Sequence, residues 1–213
     1  MKCPVVLLSL LLLATYIQAQ PSEILIDDFE SGLAPGWSVQ SFVGFNDYRV
    51  VMEGANHVML AESQATASSL YFKTNIDLRD HPVLSWRWQI ESTVSGGDVR
   101  YKKSDDYPAR IYVVFPHWFY PKTRSINYIW ANQLPKGEIA PNPYTENSQM
   151  VAVESGGGRA GEWVTERRNV YEDYRQIFGE EPGNVGAIAI MTDSDDTGSS
   201  ARAWFDDIRF LAD

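Results

Sequence analysis

The sequence predicts an all-β sandwich with one short peripheral helix, and three observations carry that reading. Short runs rich in Val, Ile, Tyr, Trp and Phe alternate apolar and polar side chains, and clusters of Gly, Pro, Asn and Asp punctuate them. Only one stretch has convincing helical spacing. The third observation is size: 213 residues, 44% hydrophobic and with seven Trp, suit one core of ordinary dimensions and are too few for two large ones.

In chain order the predicted strands are 23–29, 37–42, 49–52, 57–62, 69–75, 83–91, 109–115, 126–131, 150–154, 162–169, 185–192 and 201–210. The helix follows Asn169, a capping residue with Glu172 three positions on. Val170, Tyr171, Tyr174, Ile177 and Phe178 recur at helical spacing before Gly179 stops it. It is short enough to cover one end or edge of the sheets. The longest stretch without regular pattern is 134–149, broken by Pro135, Gly137, Pro141 and Pro143, and loops of that length in compact domains are often functional.

Residues 1–19 read as a secretory signal peptide: Lys2, an apolar run over 5–13, and small Ala19 before Gln20-Pro21-Ser22. A single β-sandwich domain is then expected over 20–213, secreted or periplasmic. The apolar run is shorter than the ~20 residues that span a bilayer, so no stable membrane insertion is expected after cleavage. Cys3, the one cysteine, leaves with the leader, which excludes cysteine nucleophiles and Cys-ligated metals from the remainder. Lys plus Arg number 18 against 28 Asp plus Glu, a net charge of −10 that opposes docking on nucleic-acid phosphates.

Candidate functional residues come from the alternation within strands. In Leu84-Ser85-Trp86-Arg87-Trp88-Gln89-Ile90 the two Trp share a face with Leu84 and Ile90, which favours core packing for them over a sugar-stacking platform and leaves Arg87 on the other face. Asp105 and Asp106 precede a strand on which Arg110 and Tyr112 share a face. If Arg87 and Arg110 shared one sheet face, they would form a cationic patch able to clamp a carboxylate or sulfate. The equally weighted alternative is an Asp–Arg pair that neutralises buried charge or pins the loop.

Asp193, Asp195 and Asp196 alternate as oxygen ligands to calcium would, although a solvated turn explains them as well. His57, His81 and His117 lack zinc-site spacing, and Ser155 lacks the Gly-x-Ser-x-Gly elbow. Glu154, Glu166, Asp193 and Asp195 are numerous enough for a glycosidase pair, but number alone gives no geometry.

The opening Asp27-Asp28-Phe29-Glu30 with Gly36-Trp37, and the closing Trp204-Phe205-Asp206-Asp207-Ile208-Arg209-Phe210, resemble the first and last strands of galactose-binding-like jelly rolls used by carbohydrate-binding modules. That resemblance implies a jelly-roll β-sandwich whose terminal strands lie close together. It also implies a structural calcium, with Asp28, Glu30, Asp206 and Asp207 as candidate ligands.

The segments Asp105-Asp106-Tyr107-Pro108-Ala109-Arg110, Tyr128-Ile129-Trp130-Ala131, Asn142-Pro143-Tyr144-Thr145 and Ile190-Met191-Thr192-Asp193-Ser194-Asp195-Asp196-Thr197-Gly198 resemble the domain of unknown function 3047 family of exported bacterial proteins. This likeness supplies a family without an activity.

The expectation is therefore a module that binds a polysaccharide, an acidic sugar or another small polar ligand. Arg87, Arg110 and Tyr112 would orient the ligand, and Trp130 and Tyr144 would stack on it. Asp105, Asp106, Asn142 and Asp193 would hydrogen-bond it, with 134–149 as the rim. A polysaccharide lyase or glycosidase using the same patch, and a non-catalytic envelope structural or interaction protein, are the alternatives.

Overall fold

The computed structural model describes residues 22–212, so the expected signal peptide over 1–19 lies outside the described residues. Thirteen strands and one α-helix follow in chain order. They are β1 (Glu23–Asp27), β2 (Trp37–Val43), β3 (Asp47–Glu53), β4 (Asn56–Gln64), β5 (Ala67–Ile76), β6 (Val83–Ile90), β7 (Tyr107–Phe115), β8 (Arg124–Ala131), β9 (Ile139–Asn142), β10 (Thr145–Ser155), β11 (Val164–Asn169), α1 (Val170–Phe178), β12 (Val185–Asp193) and β13 (Ser200–Leu211). They build a six-stranded sheet, β11-β6-β13-β4-β3 with β1 also on β13, and a seven-stranded sheet, β2-β5-β12-β7-β8-β10-β9. The terminal strands β1 and β13 pair antiparallel, as the resemblance implied.

Inward-facing residues of the two sheets make the core. Trp86 and Trp88, both fully buried, meet edge to face at 5.4 Å; Trp86 stacks on Tyr128 and Trp88 packs on Trp130. Period-two alternation places these rings inside. It also places Arg87 on the opposite side of β6, facing away from the core.

Helix α1 begins as its sequence requires: the Asn169 side chain accepts from the Glu172 N–H at 3.0 Å, and Gly179 closes the helix at φ 68°. Its buried Tyr174 packs on Phe115 at 4.5 Å, and Asp173 accepts a hydrogen bond from the Tyr128 hydroxyl, so the helix closes one end of the sandwich. One strand was not legible: β9 lies within the segment expected to be irregular. It contains Pro141, and an edge strand is where a residue without an N–H is tolerated.

Candidate functional site

The structure separates the two arginines that were expected to act together. β6 belongs to the six-stranded sheet and β7 to the seven-stranded sheet, because the 91–106 segment carries the chain across the sandwich instead of back along the same sheet. Trp86 and Trp88 face the core from β6, and Ala109 and Ile111 face it from β7. Arg87 and Arg110 therefore point from opposite outer faces. No shared cationic patch exists.

Arg87 is tied to Asp206 and Asp207 and lies 4.7 Å above the Trp163 ring. The acids expected to hold calcium are engaged in the same region. Asp206 also accepts from Asn56 at 2.7 Å, Asp207 pairs with Arg209, Glu30 contacts His57 at 3.3 Å, and Asp28 accepts from the Glu30 N–H. Asp28, Glu30, Asp206 and Asp207 thus neutralise cations or cap backbone rather than converge. The described residues with ligand spacing are instead Asp106, Asp195 and Asp196, whose carboxylate oxygens lie within 4.8 Å of one another.

Trp130 is a second correction. It shares the inward face of β8 with Ile126 and Tyr128, is fully buried, and donates its indole N–H to the Gly156 carbonyl at 2.9 Å. A ring enclosed between sheets cannot stack on an external ligand.

The remaining expected residues do come together, at one end of the outer face of the seven-stranded sheet. Asp193, the last residue of β12, accepts from the Tyr107 N–H at 2.7 Å and from Arg110 at 2.6 Å. The Arg110 guanidinium lies between the Tyr107 and Tyr112 rings at 4.3 and 4.6 Å. Asp105 accepts from the Tyr107 hydroxyl and, at 3.3 Å, from Asn142. Asp106 accepts from the Asp196 and Thr197 N–H groups, pinning the β12–β13 loop. Tyr144, exposed, donates to the Lys102 carbonyl at 3.3 Å.

Burial dominates the electrostatics of this cluster. It pushes the Asp105 carboxyl up to about 6, against the opposing pull of Arg110. It also raises Asp193, Asp195 and Asp196. Arg110 is shifted upward by its acidic neighbours in spite of burial, and the 2.6 Å contact holds it and Asp193 as an ion pair. Both side chains are only 5% exposed. Arg110 therefore serves the alternative reading of the sequence, a buried charge already matched. The free guanidinium that a lyase would use to neutralise a uronate is not offered here. Glu154 is likewise held by Lys136 and Arg159.

Next to the charged end lies a strip that sequence reasoning missed. Strand register aligns Ser38, Tyr71, Ala189, Tyr112 and Asn127 as one row across β2, β5, β12, β7 and β8. The adjoining row runs Lys73, Ala187, Val114, Ser125 and Ser148. Two half-buried tyrosines flank a small alanine, and about 10 Å separates their strands, twice the spacing of neighbouring strands. One signal was available in the sequence: Ala187 and Ala189 alternate with Ile188 and Ile190, placing small side chains on one face of β12. Which strands would border that face needed the register. A depression of about 510 Å³ lies elsewhere, beside Phe45, Glu62 and Arg202, where Glu62 is paired with Arg49 and Arg202.

The family described as "Protein of unknown function (DUF3047)" matches residues 35–209. No curated protein matches the chain. Among solved structures the chain is similar to the family 11 carbohydrate-binding module of the cellulosomal cellulase Lic26A-Cel5E of Clostridium thermocellum. That match has a TM-score of 0.51 and 12% identity, covering 92% of this chain and 97% of that one. A family 30 carbohydrate-binding module from the cellulase Cel9D-Cel44B of the same organism matches with a TM-score of 0.48 and 9% identity, over 84% and 92% of the two chains. What the first of these shares with the chain is the jelly-roll β-sandwich fold.

The Arg110–Asp193 pair makes a sharp stability prediction. Asp193→Ala leaves a buried guanidinium unmatched and is expected to cost about 3–5 kcal/mol, whereas Arg110→Met with Asp193→Leu restores most of that. Urea denaturation of the wild type, the single variant and the double variant checks this. A single variant within 1 kcal/mol of wild type, roughly the value of a surface pair, would contradict it.

Proposed function

The chain belongs to the DUF3047 family, described only as of unknown function, and from that premise we propose that it is an exported module that binds a neutral polysaccharide. The site is the strip around Ala189. The single observation that carries the reading is the row in which Tyr71 and Tyr112 flank Ala189, with Ser38 beside Tyr71 and Lys73 in the next row. Tyrosine offers an apolar face to the C–H surface of a sugar ring and a hydroxyl to its edge, at little conformational cost. Ala189, small and only 5% exposed, forms the floor between them. The fold likeness to a protein whose name states carbohydrate binding supports the reading.

Neutral glycans are favoured over acidic ones. The strip ends at Asp105, Asp106, Asp193, Asp195 and Asp196, and among these Arg110 is already paired, so an incoming carboxylate would meet net repulsion. A shallow strip, with half-buried Tyr71 and Tyr112 on either side of Ala189, also suits a linear chain better than a small molecule that must be enveloped.

Export rests on the composition of residues 1–19, and no helix among the described residues is long and apolar enough to cross a membrane. Intact mass of protein expressed from the full sequence is expected to place the mature start at Gln20; retention of Met1 would contradict export. Calcium is retained in this reading, moved to Asp106, Asp195 and Asp196, whose hard oxygens suit it. Chelation with EDTA should then lower the melting temperature, and calcium should restore it. A melt indifferent to both would remove the ion.

The binding site itself is tested by affinity electrophoresis against hydroxyethylcellulose, barley β-glucan, glucomannan, alginate and pectin. The protein should be retarded by at least one neutral polymer and by neither acidic one. Tyr71→Ala should weaken that binding roughly tenfold, the size of one lost stacking contact, with the melt unchanged. Retardation that ignores Tyr71, or no retardation at all, sinks the proposal.

A further inference from the structure

The two most exposed aromatic side chains of the described residues, Trp118 and Tyr120, sit on one hairpin. Residues 116–123 join β7 to β8 and present Trp118 at 92% exposure, Tyr120 at 83% and Phe119 at 48%. Their rings are neighbours: His117 and Trp118 lie 5.5 Å apart, and Trp118 and Phe119 lie 5.9 Å apart. Leaving such area in water forfeits the stabilisation that burial would give, and contiguous exposed apolar surface marks an interaction site.

The backbone that presents these rings is held in place. The His117 N–H donates to the Thr123 hydroxyl, Lys122 and Thr123 N–H groups donate to the Phe119 and Tyr120 carbonyls, and Asn147 donates to the Pro121 carbonyl at 2.8 Å. A preorganised loop binds without a large ordering cost. Its position is specific as well. It leaves the seven-stranded sheet where the outer row Val114, Ser125 and Ser148 ends, directly beyond the row of Tyr112 and Asn127 and at the end of β7 opposite the aspartates.

We propose that the 116–123 hairpin is an aromatic subsite that extends the strip, stacking on sugar rings of a neutral glycan chain as that chain runs off the sheet beside β7. The proposal rests on the function argued above and names the polymer, rather than a short sugar, as the ligand. From Tyr112 to Pro116 the chain covers about 13 Å and the rings lie beyond it, so a ligand reaching both the strip and the hairpin must be longer than a disaccharide.

Charge selects this occupant over a bilayer surface, the other common partner of exposed Trp and Tyr. The hairpin carries a single lysine, Lys122, on a chain of net charge −10, whereas stable docking on anionic lipid draws on clusters of Lys and Arg. Sugar C–H faces impose no such requirement.

The test compares wild type, Trp118→Ala/Tyr120→Ala and Tyr71→Ala by calorimetry against intact barley β-glucan, glucomannan and hydroxyethylcellulose, and against cellobiose and mannobiose. The double variant should weaken polymer binding roughly tenfold or more while leaving disaccharide binding and the melting temperature unchanged, since its side chains touch little else. Polymer binding that survives the double variant but not Tyr71→Ala overturns the subsite and leaves the strip standing. Loss in the double variant with Tyr71→Ala unaffected upholds the hairpin and overturns the strip. Wild-type binding to none of the sugars, with Trp118-dependent sedimentation on phosphatidylcholine vesicles, would assign the hairpin to membranes and overturn both.

Discussion

The Arg110 guanidinium is buried between two tyrosine rings with one carboxylate to neutralise it, and the outer face of the seven-stranded sheet is organised around that constraint. Removing a cation from water costs several kcal/mol unless a partner and further contacts offset it. Here the offset is assembled from three places. Asp193 closes β12, Tyr107 opens β7, and Tyr112 lies two residues beyond Arg110 on the same strand. The pair therefore locks the ends of β7 and β12 where their register shifts between Met191 and Asp193. Tyr112, held against the guanidinium on one side, is fixed as a wall beside Ala189.

The two outer faces of the sandwich have divided their chemistry accordingly. On the six-stranded sheet, cations and acids largely satisfy one another: Arg87 with Asp206, Arg202 with Glu62 and Glu91, Arg49 with Asp47 and Glu62. Partly exposed pairs of this kind add little stability individually, but together they leave few unmatched groups for a ligand. The seven-stranded sheet instead keeps its paired charges at one end, covers the outer side of β8 and β10 with Val99, Leu134 and Ala140, and leaves Tyr71, Lys73 and Tyr112 on the part that remains partly exposed. Interior demand explains why three of the seven tryptophans do not contribute: Trp86, Trp88 and Trp130 are consumed by the core. Among the aromatic groups left partly or fully exposed are Tyr71 and Tyr112 on strands and the rings of the 116–123 hairpin.

Alternation and punctuation were enough to read most strands, the inward placement of Trp86 and Trp88, and the capped helix, because each depends on neighbours within a few residues. Long-range placement was not legible. Arg87 and Arg110 occupy successive predicted strands, and nothing local states that the chain changes sheets between them. Trp130 looked available for stacking because the rings that enclose it, Trp88 of β6 above all, are distant in sequence. Strand β9 was hidden by Pro141, which reads as a breaker unless the strand is known to be an edge. The cluster of Asp105, Asp106, Arg110, Tyr112, Asn142, Tyr144 and Asp193 was found, but its role as a locked scaffold follows from burial, which only the assembled sheets define.

A ligand lying across Tyr71, Ala189 and Tyr112 is tested most directly by residue-resolved NMR of the labelled protein titrated with soluble barley β-glucan oligosaccharides. The largest shift changes should fall on the backbone and ring signals of Tyr71, Ala189 and Tyr112, fading toward Arg87 and Trp163 on the opposite face. Shifts centred on Arg87, Trp163 and Trp204, with the strip silent, would contradict it.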